Sequence, residues 1–170
     1  MAQLEGGQLD AALLALEADL GELTSVPVGW DPFVVAMAPA DYRAELESVS
    51  AASLEAGPLL LLQDGHCLSD QTLQWCARQG TGGSAGLRAT SLATLTQMVA
   101  AGAGVTLLPR LALAVENRAQ QLTLKPLQGP QPGRTLGLAW RRNQPLAKAL
   151  NQLGTVLQTA LLPLVDPLPV

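Results

Sequence analysis

Apolar residues fall along this chain in short, dense runs separated by glycines, prolines and acidic clusters. Residues 9–16 (Leu-Asp-Ala-Ala-Leu-Leu-Ala-Leu) form a nearly continuous run that predicts a strand buried on both faces. Ahead of it, residues 1–4 followed by Gly6-Gly7 read as the last turn of a helix with a glycine stop. Residues 26–38 read as one or two strands whose pairing Pro27 and Pro32 confine. The polar stretch 41–56 is helical in parts and ends at Gly57-Pro58, and Leu59–Leu62 is another buried strand. A turn at 63–66 leads into a helix over 68–79, and the glycine-rich stretch 78–87 predicts a loop. Thr90-Ser91 caps a helix with Leu92, Leu95, Met98 and Val99 on one face, which stops at Gly102. Strands follow at 105–109, 122–124 and 136–140. A last helix starts near Pro145, with Leu146, Leu150, Leu153, Leu157 and Leu161 as its stripe. Alternating strands and helices predict an α/β fold with a largely parallel or mixed sheet.

With 170 residues, 48% hydrophobic and 14% charged, the chain suits one domain or two small lobes rather than a disordered tail. Its formal charge of −4 hides a split. Twelve acids face only Arg43 and Arg78 in residues 1–85, whereas Glu116 and Asp166 face eight bases in residues 86–170. Those bases are scattered rather than set in a stripe, so direct contact with DNA is not expected from this chain. No apolar run reaches the roughly 18 residues of a membrane span. The N-terminus carries no basic segment or cleavage site of a secretory signal, so a cytoplasmic location is expected. Cysteines there stay reduced, which makes Cys67 and Cys76 either small buried hydrophobes or reactive thiols.

Several motifs fail on context. Gly82-Gly83-Ser84-Ala85-Gly86 matches the Gly-x-Ser-x-Gly of a hydrolase elbow, but a helix rather than a strand precedes it, and His66 is the only histidine. A zinc site from His66, Cys67, Cys76 and Asp64 or Asp70 fits no common spacing, so no metal is expected. The segment 64–76 is more informative. If a helix starts just after Cys67, its sulfur sits where orphan N–H groups and the helix dipole favour a negative charge. Asp70 can close a capping box or handle a proton, and His66 can exchange a hydrogen bond with an incoming oxygen. The plainer reading is that Asp70 only caps and His66 faces solvent. Nine helical residues put the two cysteines about 13 Å apart, whereas a disulfide needs Cα atoms about 5.5–6 Å apart. Either the pair never bonds, or bonding unwinds the helix and acts as a redox switch.

Asp64-Gly65-His66-Cys67-Leu68-Ser69-Asp70-Gln71, followed by Cys76, closely resembles the sensing loop of the peroxide-responsive members of the LysR-type transcriptional regulators. Leu4-Glu5-Gly6-Gly7-Gln8-Leu9-Asp10, Arg88-Ala89-Thr90-Ser91-Leu92, residues 98–109 and Arg134-Thr135-Leu136-Gly137-Leu138 are similar to the same family in the same order. The resemblance covers nearly the whole chain. It implies a two-lobed regulatory domain like the periplasmic binding proteins, with mixed sheets and an incomplete first lobe. Residues 1–30 would be a remnant of lobe I, 31–136 lobe II, and 137–170 the return to lobe I, with no DNA-binding domain present. The lobes would be joined by crossings near 26–31 and 134–140.

By the same resemblance, Cys67 is the peroxidatic thiol and Cys76 the resolving one. His66, Asp70 and Arg134 match the peroxide pocket, with Arg134 beside Cys67, and Thr90 and Ser91 match an effector cleft. The family's pocket threonines lie in a part without counterpart here, and Gly86 replaces a histidine often found before the Arg-Ala-Thr-Ser segment. No cofactor is implied. The implied partners are hydrogen peroxide, a second or further copies as a homodimer or homotetramer, and a thiol-reducing system. RNA polymerase and promoter DNA enter only through the complete regulator. Two other readings stand beside this one. The first is a LysR-type domain that binds a small organic effector and carries inert cysteines; the second is a thiol peroxidase with multiple turnovers.

Overall fold

A computed structural model describes residues 1–64, 67–80 and 85–168. Along the chain run helix α1 (Ala2–Glu5), strands β1 (Ala11–Ala15) and β2 (Leu23–Met37), helix α2 (Ala51–Glu55), strand β3 (Leu59–Leu62) and helix α3 (Cys67–Arg78). Strand β4 (Ala85–Ala89), helix α4 (Leu92–Ala100), strand β5 (Thr106–Pro109), helix α5 (Leu113–Glu116), strands β6 (Thr123–Lys125) and β7 (Gly133–Arg141) and helix α6 (Ala147–Leu161) follow. The chain divides into two compact units, one of Met1–Pro32 with Gly133–Val170 and the other of Phe33–Pro132.

In the first unit β7 is central and antiparallel to both neighbours. It pairs with β1 from Ala11↔Trp140 to Ala15↔Leu136, and with β2 from Leu23↔Arg141 to Pro32↔Gly133. Residues 26–37 thus belong to one long strand rather than two, and Ala38 lies just beyond its end. It absorbs Pro27, which has no N–H to donate, by a register shift between Pro27 and Gly29. The Pro27 carbonyl accepts instead from Gln158 Nε2 of α6, at 2.7 Å.

The expected burial of β1 on both faces does not occur: it is an edge strand, and Leu13 is 47% exposed. An apolar run is compatible with a central or an edge position, and only the neighbours decide. The Leu16 N–H donates to Thr135 O, so the alternation of the ladder turns the backbone groups of Ala11 and Leu13 away from β7. Among the described residues no strand pairs with that outer edge.

Helix α6 lies on this sheet through Leu150 and Gly154, not through the whole leucine stripe; Leu146 and Leu153 are exposed. Glycine sets the contact face. A Cβ at position 154 would stand 2.6 Å from Val26 Cγ1, so the helix sits closer here than any larger residue allows.

In the second unit, residues 33–37 of β2 pair antiparallel with β5 (Phe33↔Pro109 to Ala36↔Thr106) and with β6 (Val35↔Lys125 to Met37↔Thr123). Strands β3 and β4 are parallel, and Leu59 bridges Val105 in parallel as well. Of the two sheet arrangements expected, the mixed one forms. Leu59–Leu62 is fully buried, as four consecutive leucines require, within a core that includes Phe33, Val35, Leu95, Val99 and Leu107. The predicted loop over 78–87 is overrun by β4 from Ala85 onward. Gly86 explains this: a Cβ there would meet Pro58 Cβ at 3.0 Å and Leu59 O at 3.1 Å, so the glycine that suggested a loop lets β4 lie close to β3. No helix among the described residues is long and apolar enough to cross a membrane.

Candidate functional site

The segment that carries both cysteines starts where β3 ends. Gln63 N–H still donates to Ala89 O, at 2.9 Å, which fixes the exit of β3 against β4. The chain then turns at Asp64, and α3 begins at Cys67, one residue before the expected start. Leu68, Ser69, Thr72, Trp75 and Cys76 are its buried residues, a spacing that marks one helical face. Cys76 is 2% exposed and belongs to the unit's core. Cys67 is exposed on the first turn, and neither cysteine is in a disulfide.

Both thiols therefore lie on one continuous helix, at a separation of about 13 Å along its axis. That is more than twice the span a disulfide bridges. The helix is not fully satisfied either. Gln71 Oε1 and Trp75 Nε1 are buried without a hydrogen-bond partner among the described residues, and each such group costs about 1–3 kcal/mol.

Other polar contacts hold the start of α3. Ser69 Oγ donates to Leu62 O at 2.8 Å in a buried setting. Arg88 Nη1, on β4, reaches the same carbonyl at 3.4 Å and Asp64 Oδ1 at 2.5 Å. Neither Ser69 nor Arg88 emerged as a site residue from sequence, and Asp64 entered only through the zinc set that spacing ruled out. The Arg88–Asp64 contact joins residues 24 apart, and only the parallel β3–β4 pairing, which sets Leu62 beside Ala89, makes them neighbours.

With α3 starting at Cys67, Asp70 is its fourth residue. Asp70 is exposed on the first turn, its carboxylate without a backbone hydrogen bond among the described residues. His66 lies outside the described residues, as do Gly82, Gly83 and Ser84 of the elbow motif. Thr90 is exposed, and Ser91 Oγ accepts from Thr94 N–H at 3.1 Å, so this serine caps α4. Arg134 belongs to the first unit, where its Nε and Nη2 stand 3.1 and 3.0 Å from Oδ2 of the fully buried Asp31.

The model of the LysR substrate binding domain matches residues 1–162. The chain belongs to the LysR substrate-binding domain family. Among its relatives in that family is the DNA-binding transcriptional dual regulator OxyR of Escherichia coli strain K12. It is 39% identical over 158 residues, which are 93% of this chain and 52% of that protein. The chain thus spans about half the length of the curated relatives it matches. Two solved structures are similar over most of this chain. The reduced form of OxyR gives a TM-score of 0.81 at 38% identity, covering 94% of this chain and 75% of that one. The oxidised form of OxyR gives 0.78 at 39% identity, covering 94% and 76%.

Proposed function

We propose that this chain is the hydrogen-peroxide-sensing regulatory domain of a LysR-type transcriptional regulator, which switches through a reversible Cys67–Cys76 disulfide. The observation that carries this reading is the placement of the two thiols. One is exposed at the start of α3 and the other buried nine residues on, in a chain 39% identical to a regulator named OxyR. A core hydrophobe would not need the exposed position.

In the proposed reaction the Cys67 thiolate attacks one peroxide oxygen; the S–O bond forms, the O–O bond breaks, and the leaving hydroxide is protonated to water. The Cys76 thiolate then attacks the sulfenic sulfur. The S–S bond forms, the S–O bond breaks, and the second hydroxide leaves as water. Two thiols lose two electrons and peroxide gains them. Asp70, on the same helical turn as Cys67, and the adjacent His66 are assigned to proton handling, whereas Arg134, which the family resemblance assigns to favouring the thiolate, is paired with Asp31 in the first unit. Closing the bond draws the cysteines from about 13 Å to about 6 Å, so α3 cannot survive it. A thiol-reducing system resets the domain, which makes it a switch rather than an enzyme of many turnovers. Self-association of such domains and contacts with promoter DNA and RNA polymerase belong to the complete regulator in the cytoplasm.

The test is peroxide treatment of the purified chain, followed by peptide mapping in a mass spectrometer. The expected product is a Cys67–Cys76-linked peptide pair that dithiothreitol removes and Cys67→Ser abolishes. An exposed Cys67 that passes straight to sulfinic acid with no linked pair would overturn the proposal.

A further inference from the structure

The carbonyl of Leu62, at the end of β3, is the meeting point of three segments. It accepts from Ser69 Oγ, two residues beyond Cys67, and from Arg88 Nη1 on the adjacent strand, while Arg88 also holds Asp64, three residues before Cys67. The chain is therefore held on both sides of the exposed cysteine, by Ser69 on the Leu62 carbonyl and by Asp64 on Arg88.

We infer that Ser69, Arg88 and Asp64 form a clamp that favours the thiol state of the Cys67–Cys76 pair, and so sets the oxidising strength at which the switch turns. This inference rests on the disulfide switch proposed above and names residues that act on it without touching peroxide. The physical argument is one of geometry. Ser69 lies inside the loop that a Cys67–Cys76 bond would close, and its hydroxyl reaches Leu62 O only from the helical backbone that the bond destroys. Contacts made in one redox state and not the other stabilise that state, and so enter the thiol–disulfide equilibrium directly. The buried Ser69 bond is the larger component. The Arg88–Asp64 pair is the smaller, because Asp64 is 90% exposed and water screens the interaction.

The test places the 170-residue chain in glutathione buffers of graded ratio and measures the fraction oxidised by alkylation and mass spectrometry. In this exchange two protein thiols and one oxidised glutathione give one protein disulfide and two reduced glutathiones. Ser69→Ala is expected to raise the equilibrium constant for oxidation about two- to tenfold. Arg88→Ala is expected to raise it up to about fivefold, with Arg88→Lys closer to the unaltered chain. Thr106→Val is the control, because it removes a buried hydroxyl bond of the same length, Thr106 Oγ1 to Leu60 O at 2.8 Å, in the same unit but outside residues 64–76. It is expected to lower overall stability without moving the redox equilibrium. Ser69→Ala and Arg88→Ala chains that oxidise at the unaltered ratio, or a Thr106→Val chain shifted as far as they are, overturn the clamp alone. An unaltered chain that forms no Cys67–Cys76 bond in any buffer overturns the clamp and the switch together.

Discussion

Oxidation to the Cys67–Cys76 disulfide is expected to remove most of α3, and the loss can be sized in advance. The helix spans Cys67–Arg78, 12 residues, and both cysteines lie within it. Nine steps at 1.5 Å each separate their Cα atoms by about 13 Å, and a disulfide tolerates about 6 Å, so the intervening turns must leave the helical path. Those residues make up about a fifth to a quarter of the α-helical positions in the described chain. Far-ultraviolet circular dichroism at the helix band should therefore fall by about that share on oxidation and recover with dithiothreitol. A second signal comes from the same segment. Trp75 is 7% exposed in the thiol form and sits one residue before Cys76, so its emission should shift to the red as the helix opens. In a Trp75→Phe chain, Trp30 and Trp140 of the first unit should leave the spectrum unchanged. A chain whose linked peptide is confirmed by mass, yet whose dichroism stays within the error of a repeat scan, would refute the geometric reasoning.

Three further outcomes follow from contacts elsewhere in the fold. Gly104→Ala should destabilise the second unit by about 3–5 kcal/mol in urea titrations: its φ is +154°, a new Cβ would stand 2.3 Å from Pro58 O, and the Val105 N–H to Pro58 O bond lies alongside. The side-chain hydrogen bond from Arg43 holds the Asp41 carboxyl below its ordinary value, with burial opposing it. The pair's contribution is therefore complete above the unfolded-state value near 3.9 and is lost as pH falls through the lower folded value. Urea midpoints of the unaltered and Asp41→Asn chains should accordingly differ at neutral pH and converge in strong acid. Arg134→Gln should cost about 2–4 kcal/mol, since it leaves the fully buried Asp31 without that cation; equal urea midpoints for the two chains would contradict the assignment.

What could be read from sequence was what local chemistry dictates. Four consecutive leucines could only be a buried strand. The capping of α4 followed from Ser91, and its stop from Gly102, which adopts a φ of +80°. The nine-residue spacing of the cysteines showed that helix and disulfide exclude one another. The features that were missed depend on neighbours distant in sequence. The apolar run of β1 gives no sign that one edge stays open, and Gly86 looks the same in a loop as in a strand pressed against Pro58. In α6 the packing face follows Gly154, which a search for leucines passes over. The Ser69–Leu62–Arg88 junction exists only because β4 runs parallel to β3.

The outer edge of β1 bears on how the purified chain behaves in solution. Ala11 and Leu13 present backbone donors and acceptors outward, and no lysine, proline or bulge guards the strand between Ala11 and Ala15. Such an edge is a template on which any extended apolar segment gains hydrogen bonds, including the same strand of another molecule. Crowding therefore favours sheet extension from this side, whereas a charge at position 13 would discourage it at little cost to a side chain already half in water.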